Sequence, residues 1–359
     1  RVAAGREARI AFRGTLRPYQ CHAVDHVVAK LTDPAHPAPG AMLVAGCGTG
    51  KTTMSLCVAS RLQRKTAVLV HNETLALQWV ERAEQFTGTR PGIVQRERVE
   101  SEADVLIVMI ASLVSGRYDG APWLEEVGLV IVDECHHLAA RTFLEACRRF
   151  PARARLGLTA TPQRRDGLER AVSWMLGPAA YSIRRRVQSG VEVRMLRHHA
   201  GPAHELKRYG KPDFVRMVTR AVVDDQRTRG IVRVALRLVA EGRWIIVLSD
   251  RRAHLEAMAA LLGDRLCGMY VGETTKKAKA AREGSLEKRV LLATSRLGEE
   301  GLDVPRLSSV LFTTPKSGLG AIEQAVGRIL RKHEDKEGLA PVVVDVVDRA
   351  GMFAGMAAK

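Results

Sequence analysis

The sequence predicts an α/β protein of two domains, each a mostly parallel sheet with helices on both faces. Apolar, β-branched runs of strand length alternate with helical stretches along most of the chain. Those runs are continuously apolar instead of alternating with polar residues, the pattern of strands covered on both sides. At 359 residues the chain also exceeds the size at which one hydrophobic core stops growing.

Residues 1–14 are basic, lack clear periodicity and receive no assignment. Residues 15–181 make the first predicted domain. It opens with an amphipathic helix through about Lys30, followed by the proline-rich loop DPAHPAPG from Asp33 to Gly40. Its strands are Met42–Val44, Ala67–His71, Asp104–Ile110, Leu129–Val132 and Leu156–Thr159. Residues 182–211, irregular and basic, are expected to connect the domains. Residues 212–359 make the second domain, with one helix from about Pro212 to Val239. Its strands are Trp244–Leu248, Leu266–Val271, Val290–Ala293, Val310–Thr313 and Val342–Val346. In doubly wound sheets ligands sit beyond the carboxyl ends of the strands, where every candidate below falls.

The formal charge is +17, from 56 Lys and Arg against 39 Asp and Glu, which favours a polyanionic partner. Aromatic residues make up only 4%, few for successive base stacking, so a nucleic acid would be gripped by its phosphates. The six cysteines contain no CxxC pair, which argues against a zinc ribbon or a disulfide framework and for a reducing, intracellular compartment. No run of 18 apolar residues and no signal-peptide pattern occurs, so a soluble chain without membrane contact is expected. The chain starts at Arg1, as a trimmed chain or a segment of a longer one would.

The most informative stretch is Ala41–Thr53, AMLVAGCGTGKTT. An apolar strand feeds a glycine-rich loop that opens a helix. The backbone N–H groups of such a loop converge on one point, where the helix N-terminus adds a favourable field, making a cradle for a nucleotide's phosphates. Gly48, Thr49, Gly50, Lys51, Thr52 and Thr53 are the binding candidates. Lys51 would reach the β- and γ-phosphates, and the Thr52 hydroxyl would hold Mg²⁺. The usual spelling begins with Gly, and here that place is Ala45. Downstream, Val130–His136 puts two carboxylates at the end of a buried strand. Asp133 can hold Mg²⁺ through water, and Glu134 can orient and deprotonate an attacking water.

At these residues the chain resembles the superfamily-2 helicases of the DExH type, from Leu16 to about Asp348. The resemblance implies two tandem RecA-like domains, ATP and Mg²⁺ as cofactors, and ATP hydrolysis coupled to movement on nucleic acid. Leu16–Gln20, LRPYQ, resembles the adenine-sensing motif, which implies that Arg17 and Gln20 meet the nucleotide. AxxGxGKT is this family's own spelling, so Ala45 is no departure. Leu158–Pro162, LTATP, resembles the motif that couples hydrolysis to domain movement through Thr159 and Thr161. Val290–Pro305 resembles the second-domain motif that brings Gly301 and Asp303 to the nucleotide and Thr294 to the nucleic-acid backbone. Gln324–Arg331, QAVGRILR, resembles QRxGRxxR, with Ala325 where the family usually has Arg. Read as a helix from Glu323 to Arg331, this segment puts Gln324, Arg328 and Arg331 on one face. If that face points across a cleft toward Lys51, the two arginines act as fingers on the γ-phosphate.

For nucleic-acid contact, Val70–Trp79, VHNETLALQW, resembles the family pattern VPTxxLxxQW, and Asn72 is the expected contact. Met109–Leu113 resembles a second such loop, with Ser112 as donor. Ser249 and Arg251 end a second-domain strand. Thr274, Lys276, Lys277 and Lys279 either line the same track or form a solvated helix face. The motifs together look most similar to the DNA-directed branch, which includes transcription- and repair-linked translocases, restriction-enzyme motors, and helicases of phages and large DNA viruses. The implied partner is DNA, held by its backbone, with a larger transcription, repair or replication complex as a further possibility and a monomer as a plausible state. Alternatives are a motor that displaces proteins or transcripts, an RNA helicase, and a scaffold that uses nucleotide only as a switch.

Overall fold

The structure is a computed structural model that describes residues 3–36, 40–46, 48–135, 140–160, 169–183, 190–198, 206–208, 211–272, 280, 282–295, 302, 304–316, 319–331, 333–348 and 353. The chain divides into two compact units, residues 1–186 and 187–359.

In the first unit the strands are β1 (Gly40–Ala45), β2 (Thr66–Val70), β3 (Gly92–Gln95), β4 (Arg98–Val99), β5 (Val105–Met109), β6 (Leu129–Val132), β7 (Ala154–Thr159) and β8 (Ala179–Ile183). The helices are α1 (Pro18–Leu31), α2 (Lys51–Leu62), α3 (Glu73–Thr87), α4 (Ile110–Val114), α5 (Trp123–Glu126), α6 (Ala140–Arg148) and α7 (Glu169–Leu176). The sheet order is β4-β3-β5-β2-β6-β7-β1-β8, parallel throughout except for β3 with β4. Successive strand residues enter opposite apolar layers. Ile107 joins Leu43, Ile131 and Leu158 on one face, while Leu106 and Val108 join Met42 and Val130 on the other. A run such as VLIVM therefore has no polar alternation, because neither face meets water.

The edge strands β4 and β8, and β3 beside β4, were not expected from the sequence. They are short, and β4 and β8 are partly exposed, so neither length nor apolarity marks them. The unassigned N-terminal segment also has a place. Ala3 bridges Ala152, Arg6 accepts from the Lys65 N–H, and Ala8 and Ile10 enter the core. It lies along the amino ends of the strands, opposite the end that carries the candidate site.

In the second unit the elements are β9 (Glu192–His198), β10 (Lys207–Arg208), β11 (Lys211–Pro212), α8 (Phe214–Val222), α9 (Asp225–Ala240), β12 (Ile245–Ser249), α10 (Arg252–Leu262), β13 (Cys267–Tyr270), β14 (Val290–Thr294), β15 (Ser309–Phe312), α11 (Leu319–Ile329) and β16 (Val342–Asp348). Six of its strands run parallel in the order β13-β14-β12-β15-β16-β9, and β10 pairs with β11 antiparallel. Two expectations are corrected here. Residues 192–198, assigned to the connection, pair with all seven residues of β16 as the edge strand β9. The single helix from Pro212 to Val239 is two helices, broken where the Asp224 carboxylate caps α9 by accepting from the Arg227 N–H at 2.9 Å.

A buried ion pair ties this unit together. Arg227 on α9 gives Nε and Nη2 to the two Asp348 oxygens at 2.7 and 2.9 Å, and Nη2 also reaches the Thr313 carbonyl. Among the described residues no helix is long and apolar enough to cross a membrane.

Candidate nucleotide site and nucleic-acid contacts

Three neighbouring strands deliver the candidate site. β7 lies between β1 and β6, with Val44 beside Thr159 and Val132 beside Gly157. β1 runs into the loop that opens α2 with Lys51, and β6 leads directly into Asp133. Two strand spacings separate them, about 10 Å, a span the lysine side chain covers. Lys51 Nζ meets Glu134 Oε1 at 3.3 Å, with both side chains largely buried.

The loop holds its shape through backbone chemistry. Gly48 and Gly50 stand at φ +74° and +86°, conformations that L side chains rarely adopt. Thr49 Oγ1 donates to the Gly46 carbonyl at 2.7 Å, closing the loop on itself. Gln20 and Tyr19 both donate to the Thr49 carbonyl, at 2.8 and 3.0 Å, and so fasten the loop to α1. Gln20 Oε1 accepts from the Arg17 N–H at 2.8 Å. Each end of the buried Gln20 amide thus meets a backbone group, so the residue expected to read adenine also braces the phosphate loop. Arg17 is exposed, and Thr52 and Thr53 are half-buried in the first turn of α2.

The carboxylates are held as firmly. Asp133 is buried; its Oδ2 accepts from the indole N–H of Trp79 at 2.8 Å and its Oδ1 from the Glu134 N–H at 2.9 Å. Burial, with the Glu134 charge beside it, pushes Asp133 up to about 6, opposed by Lys51 and the Trp79 N–H. Glu134 itself stands at φ +45°, an uncommon conformation for a residue with a Cβ. Thr159, the first coupling candidate, is buried between the two strands that carry the lysine and the carboxylates. Trp79 and Tyr19 escaped the sequence reading as site residues. Both lie inside quoted motifs, and a polar-tipped aromatic there is the signal that could have found them.

The oxygen-only donor set of Thr52 and Asp133 fits Mg²⁺, which takes one or two carboxylates and keeps several waters. Among the described residues no group of three or more metal-ligating side chains forms a cage.

In the second unit, Gln324 and Arg328 are buried on α11, and Arg328 Nη1 donates to the Leu302 carbonyl. This joins the QAVGRILR segment to the segment containing the nucleotide candidates Gly301 and Asp303, which themselves lie outside the described residues, as does Thr161 in the first unit. α11 ends at Ile329, two residues before Arg331, so the expected shared helical face is corrected for that residue. Lys336 Nζ accounts for the end, donating to the Ile329 carbonyl at 3.0 Å. Ala325 is buried with Ile329 against the sheet, an environment that suits the small side chain found where Arg is usual.

The nucleic-acid candidates fare differently. Asn72 caps α3, accepting from the Leu75 N–H at 2.8 Å. Ser112 is buried and accepts from the Arg96 N–H at 3.0 Å. Arg251 reaches the Thr219 hydroxyl and the Asp250 and Val215 carbonyls, tying α10 to α8. These three have internal roles, whereas Thr294 is half-exposed at the carboxyl end of β14, paired with Ser249 of β12. Thr274, Lys276, Lys277 and Lys279 lie outside the described residues.

Comparison with known proteins bears on the family and the fold. The family described as the res subunit of type III restriction enzymes matches residues 13–164, and the helicase conserved C-terminal domain matches residues 230–333. A protein of Acanthamoeba polyphaga mimivirus, L396, whose name gives an ATP-dependent RNA helicase, is 29% identical over 94% of this chain and 65% of its own length. The DNA 3'-5' helicase XPB of Kineococcus radiotolerans is 28% identical over 89% of this chain and 58% of its own. A solved fragment described as the HsdR subunit of a type I restriction enzyme from Vibrio vulnificus superposes with a TM-score of 0.67. It is 21% identical over 93% of this chain and 64% of that one, a likeness of fold. The chain thus spans about three-fifths to two-thirds of the length of these proteins.

Proposed function

We propose that this chain, which belongs to the superfamily-2 helicases, is an ATP-driven motor on DNA. One observation carries the reading: Lys51 and Glu134 meet at 3.3 Å, with Asp133 fixed beside them at the carboxyl end of a parallel sheet. Phosphoryl transfer to water asks mainly for positioning and charge neutralisation, and these groups supply both.

The roles follow from the chemistry of each group. Backbone N–H groups of the glycine loop cradle the phosphates. Lys51 leaves Glu134 for the β- and γ-phosphate oxygens, which frees the Glu134 carboxylate to take a proton from the attacking water. Thr52 and Asp133 would hold Mg²⁺, which supplies positive charge to the phosphate oxygens. Arg328 and Arg331 are proposed as the arginine fingers, worth roughly 10³-fold or more in turnover. Gly301, Asp303 and Thr161 are assigned their roles by resemblance alone. Thr159, wedged between the lysine strand and the carboxylate strand, supports a coupling role because a shift at either strand reaches it directly.

The DNA assignment draws on the sequence motifs and on the XPB relative, while the name of the mimivirus relative favours RNA as a second reading. ATP turnover in the presence of single-stranded, duplex and branched DNA and of RNA tests both. Stimulation by DNA over RNA supports the proposal, the reverse supports the second reading, and no stimulation by either overturns both. A strand-displacement assay beside a protein-displacement assay then separates unwinding from translocation.

A further inference from the structure

The second unit carries a basic cavity of about 610 Å³ that the nucleotide site does not use. Its wall comes from the end of β9, with Arg197 and His198, and from the first half of α9, with Arg227, Arg229 and Arg233. Among the described residues no aspartate or glutamate lines it. β9 is the sheet edge, three strands from β12, so the cavity stands roughly 14 Å to one side of Ser249 by strand spacing.

Three of these five basic side chains are matched. His198 faces Asp224 at 3.1 Å, Arg229 faces Asp225 at 2.7 Å, and Arg227 is forked onto Asp348. Arg197 and Arg233 are exposed and have no acidic partner among the described residues. Arg227 adds a second observation: its Nη1 is buried with no hydrogen-bond partner, although the rest of its guanidinium is fully engaged. A buried donor left unmade is costly, and it adds uncompensated positive charge beneath the cavity wall.

The arrangement also suggests the shape of the ligand. Arg229, Arg233 and Arg237 recur every four residues along the exposed face of α9, each about 6 Å beyond the last. Arg229 is held by Asp225, but Arg233 and Arg237 beyond it make a row that suits a chain of repeating anions better than a single one.

We propose that this cavity is an auxiliary phosphate-backbone site, in which Arg197 and Arg233 hold nucleic-acid phosphates to one side of the track ended by Thr294. The proposal rests on the nucleic-acid reading above and extends the footprint of the second unit from β12 and β14 out to the sheet edge. It predicts that the salt dependence of binding counts more phosphates than the motif loops engage.

The test uses the intact chain and fluorescein-labelled single-stranded DNA, with affinity measured across a salt series. Arg197→Ala/Arg233→Ala should bind more weakly, with the slope of log K against log salt shallower by about 0.7 for each phosphate the variant no longer neutralises. Arg197→Lys/Arg233→Lys, which keeps the charge, should retain most of the slope. Both side chains are exposed, so an unchanged melting temperature identifies a folded variant. If wild type binds and the alanine variant keeps the wild-type slope, the cavity is no phosphate site and the inference fails alone. A variant that keeps that slope but loses affinity for poly-glutamate also overturns it and assigns the cavity to an acidic protein. If wild type binds neither DNA nor RNA at low salt, the motor reading falls with it.

Discussion

Replacing Trp79 with Phe removes one hydrogen bond and leaves most of the ring volume in place. The indole N–H meets Asp133 Oδ2 at 2.8 Å in a site where both residues are buried. A hydrogen bond to a charged group in such surroundings contributes about 1.5–3 kcal/mol, or roughly one to two pKa units at 1.36 kcal/mol each. Because the N–H favours the ionised carboxylate, its loss moves Asp133 upward from about 6. Wild type at pH 7 then has carboxylate over acid by about ten to one, whereas the variant is half or less ionised. The pH profile of kcat/KM for ATP hydrolysis reads this directly, since it reports groups on the free enzyme. The expected result is a two- to tenfold loss at pH 7 that recovers toward pH 9, with the acid limb displaced upward by about one to two units. A profile that overlies wild type, or one lowered equally at every pH, would refute the reasoning. The second outcome would assign Trp79 to packing alone.

Gln20→Ala removes the link between α1 and the phosphate loop, so KM for ATP should rise several-fold. The amide keeps a second N–H and a second lone pair, so a lost preference for ATP over GTP in steady-state competition would support the base-reading role, and an unchanged preference would leave the brace alone. His254 on α10 is held at about 4 by burial, with the Arg227 charge adding to the effect. It stays neutral in the fold but titrates near 6.5 when unfolded, so its contribution is present above pH 6.5 and is lost as pH falls toward 4, about 3 kcal/mol in all. Urea midpoints at pH 7 and 4.5 should therefore diverge less in His254→Leu than in wild type, and an equal divergence would exclude this residue. Arg328→Ala or Arg331→Ala should lower kcat far more than ATP affinity, and an unchanged kcat would remove that arginine from the site.

The central strands were legible in the sequence because burial on both faces leaves an unbroken apolar run, as in VLIVM and LVIV. The edge strands were not. β9 reads EVRMLRH, with Val193, Met195 and Arg197 exposed, and its pairing with β16 is a long-range choice that no local pattern encodes. The glycine loop of the candidate nucleotide site was legible for a chemical reason: its backbone shape, with Gly48 and Gly50 at positive φ, leaves a fixed spelling. The roles of Asn72, Ser112 and Arg251 were not, because a side chain that caps a helix and one that grips a phosphate backbone are the same residue types. Only the partner decides; within the chain these side chains meet Leu75, Arg96 and Thr219, and their nucleic-acid roles stay proposals. Trp79 shows the converse, an aromatic whose polar tip reaches a carboxylate 54 residues away in sequence.

The most direct measurement is single-turnover cleavage of bound ATP in Glu134→Gln beside wild type and Lys51→Ala. If Glu134 activates the water that Lys51 and Asp133 help to position, Glu134→Gln binds ATP as wild type does and cleaves it at least about a hundredfold more slowly. Lys51→Ala should lose both steps. Wild-type cleavage in a folded Glu134→Gln protein would contradict the assignment of these groups as the hydrolytic centre.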